Sequence, residues 1–264
     1  MRGGARVWAV SYLNAVPMVY GLRHSGSAGL WDVQVDLPYR CAARLQRGEA
    51  DIALMPVALL PDISGAQLVG GYCIGSIGAV GSVCLYSEVP VEQVQRIYLD
   101  PHSRTSVALC RLLAREYWKI TPQYLSLDLL QLGRPLSPGE ALLLIGDKAL
   151  AHRDGYPYCY DLGSAWSNYT GLPFVYAAWV SRGPVREDFT LAFDAAIAWG
   201  LQHRDEALAA WEGPLPTTQA NAAYYLAHNI DYRLTRAKLS ALRRFLGHYQ
   251  VQSEPLSAGG TRLA

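Results

Sequence analysis

The chain has 264 residues, of which 51% are hydrophobic, and its 23 Lys and Arg against 22 Asp and Glu leave a formal net charge of +1. A chain of this length and composition can bury a large core and fold on its own. The balanced charge, with only short basic runs such as Arg243-Arg244, argues against an extended surface for nucleic acid or for an anionic membrane.

Short apolar runs alternate with helical patterns, which is typical of an α/β protein whose parallel strands are covered on both faces. The predicted strands are residues 6–13, 31–37, 50–56, 82–87, 96–100, 141–150 and 173–181. The predicted helices are residues 17–22, 38–48, 103–118, 187–202 and 235–250. The glycine-rich stretch 68–87 is predicted to be extended, since its glycine spacing does not fit a dinucleotide motif and no helix follows it. Residues beyond Gln252 are expected to fray.

Neither an internal repeat nor a low-complexity linker divides the chain. If the chain forms two lobes, two strands must connect them, and the natural crossings are residues 82–90 and 173–181. The first lobe is then discontinuous, with residues 1–87 and 178–264, and residues 88–177 form the second lobe. We expect a ligand cleft between the two lobes.

The stretch MRGGARVWAVSYLNAVP has only a short apolar run and no small-residue cleavage site after it, so it does not resemble a secretory signal. The sequence also lacks a charge-free apolar stretch of about 18 residues that could cross a membrane. Its five cysteines are an odd number without CxxC spacing, which favours small buried thiols over disulfides or a zinc site. We therefore expect a cytoplasmic protein without membrane contact.

Polar residues and tight turns follow several predicted strands. In open α/β sheets, loops and helix N-termini converge at the carboxyl ends of the strands, and ligands bind there. The residues at such positions are Ser11, Tyr12 and Asn14, then Pro56, then Ser103, Arg104, Thr105 and Ser106, and finally Gly146 and Asp147. We expect these residues to line one ligand site.

The stretch DPHSRTSVAL gives the sharpest local signal. Its hydroxyls, the free N–H groups of a helix start and Arg104 suit a carboxylate or a phosphate. The alternative is an ordinary N-cap by Ser103, which stabilises a helix by about 1 kcal/mol, and the spacing alone leaves both open. His102 could act as a base, although a histidine beside a cap is more often a loop residue. The sequence contains neither a Ser-His-Asp order nor an HExxH helix, so any chemistry would rest on neutral hydrogen-bonding groups.

Several stretches together resemble chorismate dehydratase of the futalosine route to menaquinone. They are VSYLNAVP (10–17), GEADIALMPV (48–57), CIGSIGAVGSVCLYS (73–87), LDPHSRTSVALCRLL (99–113), LLIGDKAL (143–150) and YDLGSAWSNYTGLPFVYAAWV (160–180). The combination of SYLN, SRTS and DLGxxW…TGLPFV carries the resemblance, because GEADIAL alone recurs in many solute-binding proteins. Many members of that family carry an acidic residue and proline where this chain has residues 77–79. This difference affects the expected shape of the loop before Ser82.

The resemblance implies a two-lobed fold of the type II periplasmic-binding-protein kind with an interlobe cleft. It implies a hydro-lyase that converts chorismate to 3-[(1-carboxyvinyl)oxy]benzoate and water, without a cofactor or a metal. Asn14 is the implied hydrogen-bond partner of the departing C4 hydroxyl, and Ser82 lies near the C3 proton. Because an unaided serine is too weak a base, our hypothesis is that a carboxylate of chorismate itself takes that proton. The implied substrate-binding residues are Ser11, Tyr12, Pro56, Ser103, Arg104, Thr105, Ser106, Gly146 and Asp147.

Two alternatives remain open at this stage. One is a small-anion binding protein of the same fold without catalysis, against which the missing export signal counts. The other is dihydroxynaphthoate synthase, a sister family that shares the fold but opens with a different polar motif. The sequence does not assign an oligomeric state.

Overall fold

The structure is a computed structural model that describes residues 4–128, 132, 135–153 and 155–250. In the described part of the chain the strands form two separate sheets. The first sheet contains, in spatial order, Asp231–Arg233, Ala66–Ser76, Phe174–Arg182, Ile52–Pro56, Ala5–Val10 and Trp31–Asp36. The second sheet contains Gln123–Ser126, Arg96–Leu99, Glu140–Ile145, Val83–Ser87 and Tyr158–Asp161. The predicted fraying beyond Gln252 lies outside the described residues.

Helices cover the sheets and connect the strands. The α-helices are Val16–His24, Pro38–Arg47, Thr105–Glu116, Gly146–Ala151, Leu162–Thr170, Glu187–Gln202, Arg204–Ala209, Gln219–Tyr224 and Arg236–Gln250. Short 3-10 turns occupy Leu13–Ala15, Ala28–Leu30, Val57–Asp62 and Val91–Gln93, and a π-helical turn occupies Tyr225–Asn229.

Local sequence signals explain the first strands and helices. Trp31–Asp36 alternates between buried and exposed residues at its start, as a half-buried strand does. The next helix has a proline at its first position and ends at Gly48, whose φ of +74° favours glycine. The strands Trp31–Asp36 and Ile52–Pro56 do not pair with each other. Both pair in parallel with Ala5–Val10, which lies between them.

The helices Val16–His24 and Glu187–Gln202 pack closely against each other. A Cβ atom on Gly21 would collide with the backbone of Ala196, and one on Gly200 would collide with the carbonyl of Pro17. Glycine at both positions therefore permits a contact closer than other residues allow. This contact supports the strand and turn that precede the first helix.

Three predictions about the elements are wrong in detail. The first strand ends at Val10 rather than at residue 13, because the chain turns into the 3-10 segment Leu13–Ala15. The predicted strand 141–150 ends at Ile145, where the sequence also predicts a turn at Gly146-Asp147, but the chain continues from Gly146 as a helix. The predicted extended stretch 68–87 is two strands in different sheets, separated by a loop at residues 77–82 with positive φ angles at Gly78 and Gly81. In addition, Phe174–Arg182 runs antiparallel to both of its neighbours, so the first sheet is mixed.

The crossings between the two sheets follow from strand pairing. Val83–Ser87 pairs within the second sheet, whereas Phe174–Arg182 pairs within the first. The expected lobes divided the chain after residues 87 and 177, but Val83–Ser87 pairs in the second sheet and the first four residues of Phe174–Arg182 already pair in the first. We propose that the chain crosses between lobes in the loops 77–82 and 171–173.

Candidate active site

A cavity of about 60 Å³ lies between the two sheets. It is lined from the first sheet and its turns by Val10, Tyr12, Asn14, Pro38, Pro56, Ile74, Tyr176 and Ala177, and from the loop 77–82 and the second sheet by Val80, Ser82, Val83, His102, Ser103, Arg104, Thr105, Ser106, Ile145 and Gly146. This lining contains neither Asp nor Glu. The cavity therefore suits a ligand that carries negative charge.

Asn14 reaches the cavity from the turn after the first strand. Two hydrogen bonds fix the backbone around it. The Leu13 N–H donates to Asp147 Oδ1 at 3.0 Å, and the Tyr232 hydroxyl donates to the Asn14 carbonyl at 2.9 Å. The Asn14 side chain is buried, and its Oδ1 accepts no hydrogen bond from any described residue. A buried acceptor without a partner is costly, which indicates that a ligand group completes this site.

Ser82 reaches the cavity from the end of the loop 77–82. The Asp161 carboxylate holds this loop by accepting the N–H groups of Val80 at 3.0 Å and Gly81 at 2.6 Å, and it also caps the next helix through the Ser164 N–H at 3.0 Å. Burial raises the pKa of Asp161, while these N–H donors act in the opposite direction. The Ser82 carbonyl accepts the Gly146 N–H at 2.7 Å. The backbone of Ser82 is thus held before it by the bonds of Asp161 to the loop and after it by the bond to its own carbonyl.

The start of the helix Thr105–Glu116 faces the same cavity. The Ser103 Oγ accepts the Ser106 N–H at 3.2 Å and so caps the helix. The Thr105 Oγ1 accepts the Ala58 N–H at 3.2 Å, which links the second sheet's side of the cavity to a turn on the first sheet's side. Arg104 is exposed and lines the mouth. The N-cap interpretation of this stretch is confirmed, and the anion-binding interpretation stays a prediction that is compatible with it.

His102, which lines the cavity, contacts Lys148. The Lys148 Nζ lies 3.0 Å from Asp100 Oδ2 and 3.3 Å from His102 Nδ1. Burial and the charge of Lys148 lower the pKa of His102, so the imidazole is neutral at pH 7. An ammonium group has only donors, so Nδ1 accepts and the ring proton resides on Nε2. His102 can therefore donate a hydrogen bond through Nε2 but cannot accept one there.

The comparisons with known proteins identify the family. A family model described as menaquinone biosynthesis matches residues 5–250. The chain belongs to the menaquinone biosynthesis family. A curated relative, the chorismate dehydratase of Thermus thermophilus, is 31% identical over 202 residues, which are 65% of this chain and 67% of the relative. The family resemblance drawn from the sequence motifs is thereby confirmed.

Solved structures confirm the fold of this family member. A protein from Archaeoglobus fulgidus has a TM-score of 0.72 at 15% identity and covers 95% of this chain and 98% of its own. The periplasmic aliphatic sulphonate binding protein of Escherichia coli has a TM-score of 0.62 at 15% identity, with 95% and 93% covered. A Candida albicans protein with the generic periplasmic binding protein fold has a TM-score of 0.58 at 13% identity, with 96% and 92% covered. The chain has this two-lobed α/β fold.

The structure brings most of the predicted site residues of the family member to one cavity. The residues that line it are Tyr12, Asn14, Pro56, Ser82, Ser103, Arg104, Thr105, Ser106 and Gly146. Ser11 instead faces a neighbouring groove with Tyr20 and Trp211. Asp147 lies behind Gly146 and binds the backbone of Leu13. A Cβ on Gly146 would come within 3.0 Å of the Tyr12 ring, so glycine there lets the two walls approach.

Two contributors to the site, Asp161 and Tyr225, have no site role predicted from the sequence, although Asp161 begins the DLGxxW motif. The partners of Asp161 are backbone N–H groups about 80 positions earlier in the chain. Any residue type has such an N–H group, so the bond cannot be predicted from a side-chain motif. Tyr225 lies in the C-terminal third, and its hydroxyl donates to Ser82 Oγ at 2.7 Å. In the sequence it is one of two adjacent tyrosines in an alanine-rich helical pattern, and the pattern does not distinguish the exposed Tyr224 from the buried Tyr225.

Other features of the described residues do not compete with this site. A wider, open hollow at the opposite end of the first sheet includes Arg6 and Asp51, which form an ion pair with each other at 2.7 Å. Within the described ranges, no group of three or more His, Cys, Asp or Glu residues could hold a metal ion. The described helices also include none that is long and apolar enough to span a bilayer.

Replacing Asp161 with asparagine is expected to lower the free energy of unfolding by about 1–3 kcal/mol, because one carboxylate acceptor becomes an NH2 group that faces N–H donors. The loop that carries Ser82 should shift, and turnover of chorismate, the substrate that the resemblance implies, should fall about tenfold. Urea unfolding and steady-state kinetics check both expectations. Asp188→Asn, at another helix start on the surface, is the matched control. An Asp161→Asn protein with wild-type stability and turnover would show that the loop does not need this carboxylate.

Proposed function

We propose that this member of the menaquinone biosynthesis family is a chorismate dehydratase, a hydro-lyase that forms 3-[(1-carboxyvinyl)oxy]benzoate and water. The observation that carries the proposal is the meeting of Asn14 and Ser82 at one buried cavity without acidic lining residues. The two residues come from sequence stretches almost 70 positions apart. Both belong to the motifs that resemble the dehydratase, and the curated Thermus thermophilus relative has that activity in its name.

The proposed reaction breaks two bonds of the substrate. The C3–H bond breaks and its proton passes to a carboxylate of the same chorismate molecule, while the C4–O bond breaks and the hydroxyl leaves as water after it takes up that proton. The electron pair of the C3–H bond completes the aromatic ring, so the step needs neither an oxidant nor a reductant. The protein chiefly has to hold the geometry and to stabilise the charge that develops.

The two carboxylates of chorismate have plausible partners in the cavity. The start of the helix Thr105–Glu116 presents hydroxyl groups and the positive end of the helix dipole to one of them. His102 offers its Nε2 proton from the same loop, and Arg104 and Lys148 add positive charge nearby. An ionised carboxylate held in this way stays close to the ring. The lining contains neither Asp nor Glu, and the Nε2 of His102 carries a proton, which supports a substrate carboxylate as the proton acceptor.

Asn14 and Ser82 have complementary roles in this proposal. The Asn14 carboxamide has a free Oδ1 for the C4 hydroxyl, and Ser82 lies opposite to orient the C3 side of the ring. Both side chains are neutral, so they can approach a dianion without adding repulsion. Ser11 and Asp147, which the resemblance implied as substrate contacts, would then act at a distance: Ser11 beside the wall and Asp147 through the Leu13 backbone.

An assay with two substrates and a blank tests the proposal. Purified protein is incubated with chorismate, with the cyclic futalosine derivative used by dihydroxynaphthoate synthase, or with neither. The products are separated by chromatography and identified by their masses in mass spectrometry. We expect loss of one water from chorismate and no change in the futalosine derivative. Conversion of the latter alone would favour the sister enzyme. Chorismate that binds in calorimetry but returns unchanged would favour a binding protein.

A further inference from the structure

Tyr225 connects the two residues that are proposed to act on the substrate. Its hydroxyl donates to Ser82 Oγ at 2.7 Å, and the Asn14 side chain also lies within interaction distance of it. Tyr225 is only 3% exposed and stands behind Ser82 rather than among the residues that line the cavity. It therefore cannot touch the substrate directly, but it can act through Ser82.

The backbone around Tyr225 is shaped to make this contact. The helix Gln219–Tyr224 widens into the π-helical turn Tyr225–Asn229, an uncommon conformation that occurs frequently at functional sites. The last residue of the turn, Asn229, donates through Nδ2 to the Ala79 carbonyl at 3.3 Å. The same turn thus holds the loop 77–82 at two points, Ala79 and Ser82.

The hydrogen bond also orients the proton of Ser82. Burial raises the pKa of Tyr225 well above its ordinary value, with Ser82 and Asn14 acting in the opposite direction, so the phenol stays protonated and donates. A serine hydroxyl that accepts this bond keeps its own proton for another partner. Ser82 lines the cavity, so a ligand in the cavity can be that partner. Chains of hydroxyl groups linked in this way strengthen one another in a dry interior.

We propose that Tyr225 is a positioning residue that fixes the Ser82 hydroxyl as a hydrogen-bond donor toward the substrate and keeps Ser82 and Asn14 at a constant separation. This role rests on the proposed dehydration of chorismate. It assigns Ser82 to charge stabilisation and orientation rather than to proton abstraction. The Tyr225 hydroxyl then links its own helical segment to the turn that carries Asn14 and to the loop that carries Ser82.

Tyr225→Phe tests this role, because it removes the hydroxyl and keeps the ring. We expect kcat for chorismate to fall about tenfold to hundredfold while KM stays within about threefold. The matched control is Tyr86→Phe, which removes another buried phenol hydroxyl, bonded to the Ala149 carbonyl at 2.6 Å in the second lobe. Both variants should lose similar thermal stability, but only Tyr225→Phe should lose turnover.

A double-mutant comparison separates positioning from a general structural effect. In a Ser82→Ala background, Tyr225→Phe should lower kcat by less than about twofold further, because the group through which it acts is already gone. The full loss of Tyr225→Phe in that background, or a Tyr225→Phe enzyme as active as Tyr86→Phe, would overturn the role. No conversion of chorismate by the wild-type protein would instead overturn the proposed function, and this role with it.

Discussion

Alanine at Asn14 or at Ser82 is expected to lower kcat for chorismate by about 10²- to 10³-fold, the loss seen when a single preorganised hydrogen-bonding group is removed from a dry site. Both side chains are almost fully buried, at 8% and 1% exposure, so water cannot easily replace them in a productive position. KM should change by less than about tenfold, because in the proposed complex the substrate carboxylates bind mainly beside Ser103 and Ser106, at the start of the helix Thr105–Glu116.

Isotope substitution distinguishes the two residues. Chorismate with deuterium at C3 should show a larger primary isotope effect in Ser82→Ala than in the wild type, because the C3 side of the ring is less well held when that bond breaks. Asn14→Ala should slow departure of the C4 hydroxyl and should not enlarge the isotope effect in this way. The measurement is the ratio of kcat for the two forms of the substrate, determined for each variant.

Ser181→Ala is the matched control for Ser82→Ala. Ser181 is a buried serine whose hydroxyl donates to the Gly183 carbonyl at 2.7 Å, at the other end of the strand Phe174–Arg182. It should lose about 1 kcal/mol of stability and retain wild-type turnover. If Ser82→Ala and Asn14→Ala behaved like this control, neither residue could take part in the reaction.

The sequence predicts which residues line the cavity better than it predicts the sheets. Each of the polar stretches around Asn14, Pro56, Ser103–Ser106 and Gly146 follows a buried strand, and the rule that ligands bind at the carboxyl ends of strands brings them together. The pairing of those strands is harder to predict from the sequence. Burial on both faces produces the same apolar run in a parallel and in an antiparallel strand, so the antiparallel course of Phe174–Arg182 does not appear in its composition.

The break between the two sheets within residues 68–87 illustrates a second limit. Glycine is compatible with an extended chain and with a turn at positive φ, and only tertiary contacts decide between them. Here the Asp161 carboxylate binds two consecutive N–H groups in the loop, at Val80 and Gly81, which fixes the turn. The contribution of Tyr225 escaped prediction for the same reason, because it depends on the packing of a distant helical segment against that loop.

Asp147 holds the backbone beside Asn14 through the Leu13 N–H, but its buried carboxylate destabilises the folded protein. Burial raises its pKa to about 6, while the Leu13 N–H and Lys148 act in the opposite direction, and Tyr12 and Tyr225 are the other titratable groups near it. Because 6 lies above the ordinary value of 3.8, the folded protein holds a proton that the unfolded chain has already released. Stability from the protonated carboxyl is complete below about pH 4 and is lost as the pH rises through 6.

Asp147→Asn is therefore expected to be more stable than the wild type at pH 8, by up to about 3 kcal/mol from the two-unit shift, and close to it at pH 4. Its carboxamide oxygen can still accept the Leu13 N–H and so hold Asn14, and turnover should stay within about threefold of the wild type. Asp147→Ala removes that bond and should lower kcat about tenfold to hundredfold. Urea unfolding from pH 4 to 8 measures the first effect and kinetics with chorismate the second. If the stability of the wild type and of Asp147→Asn changed with pH in the same way, the pKa of Asp147 would be the same in the folded and unfolded states, and the expectation would be wrong.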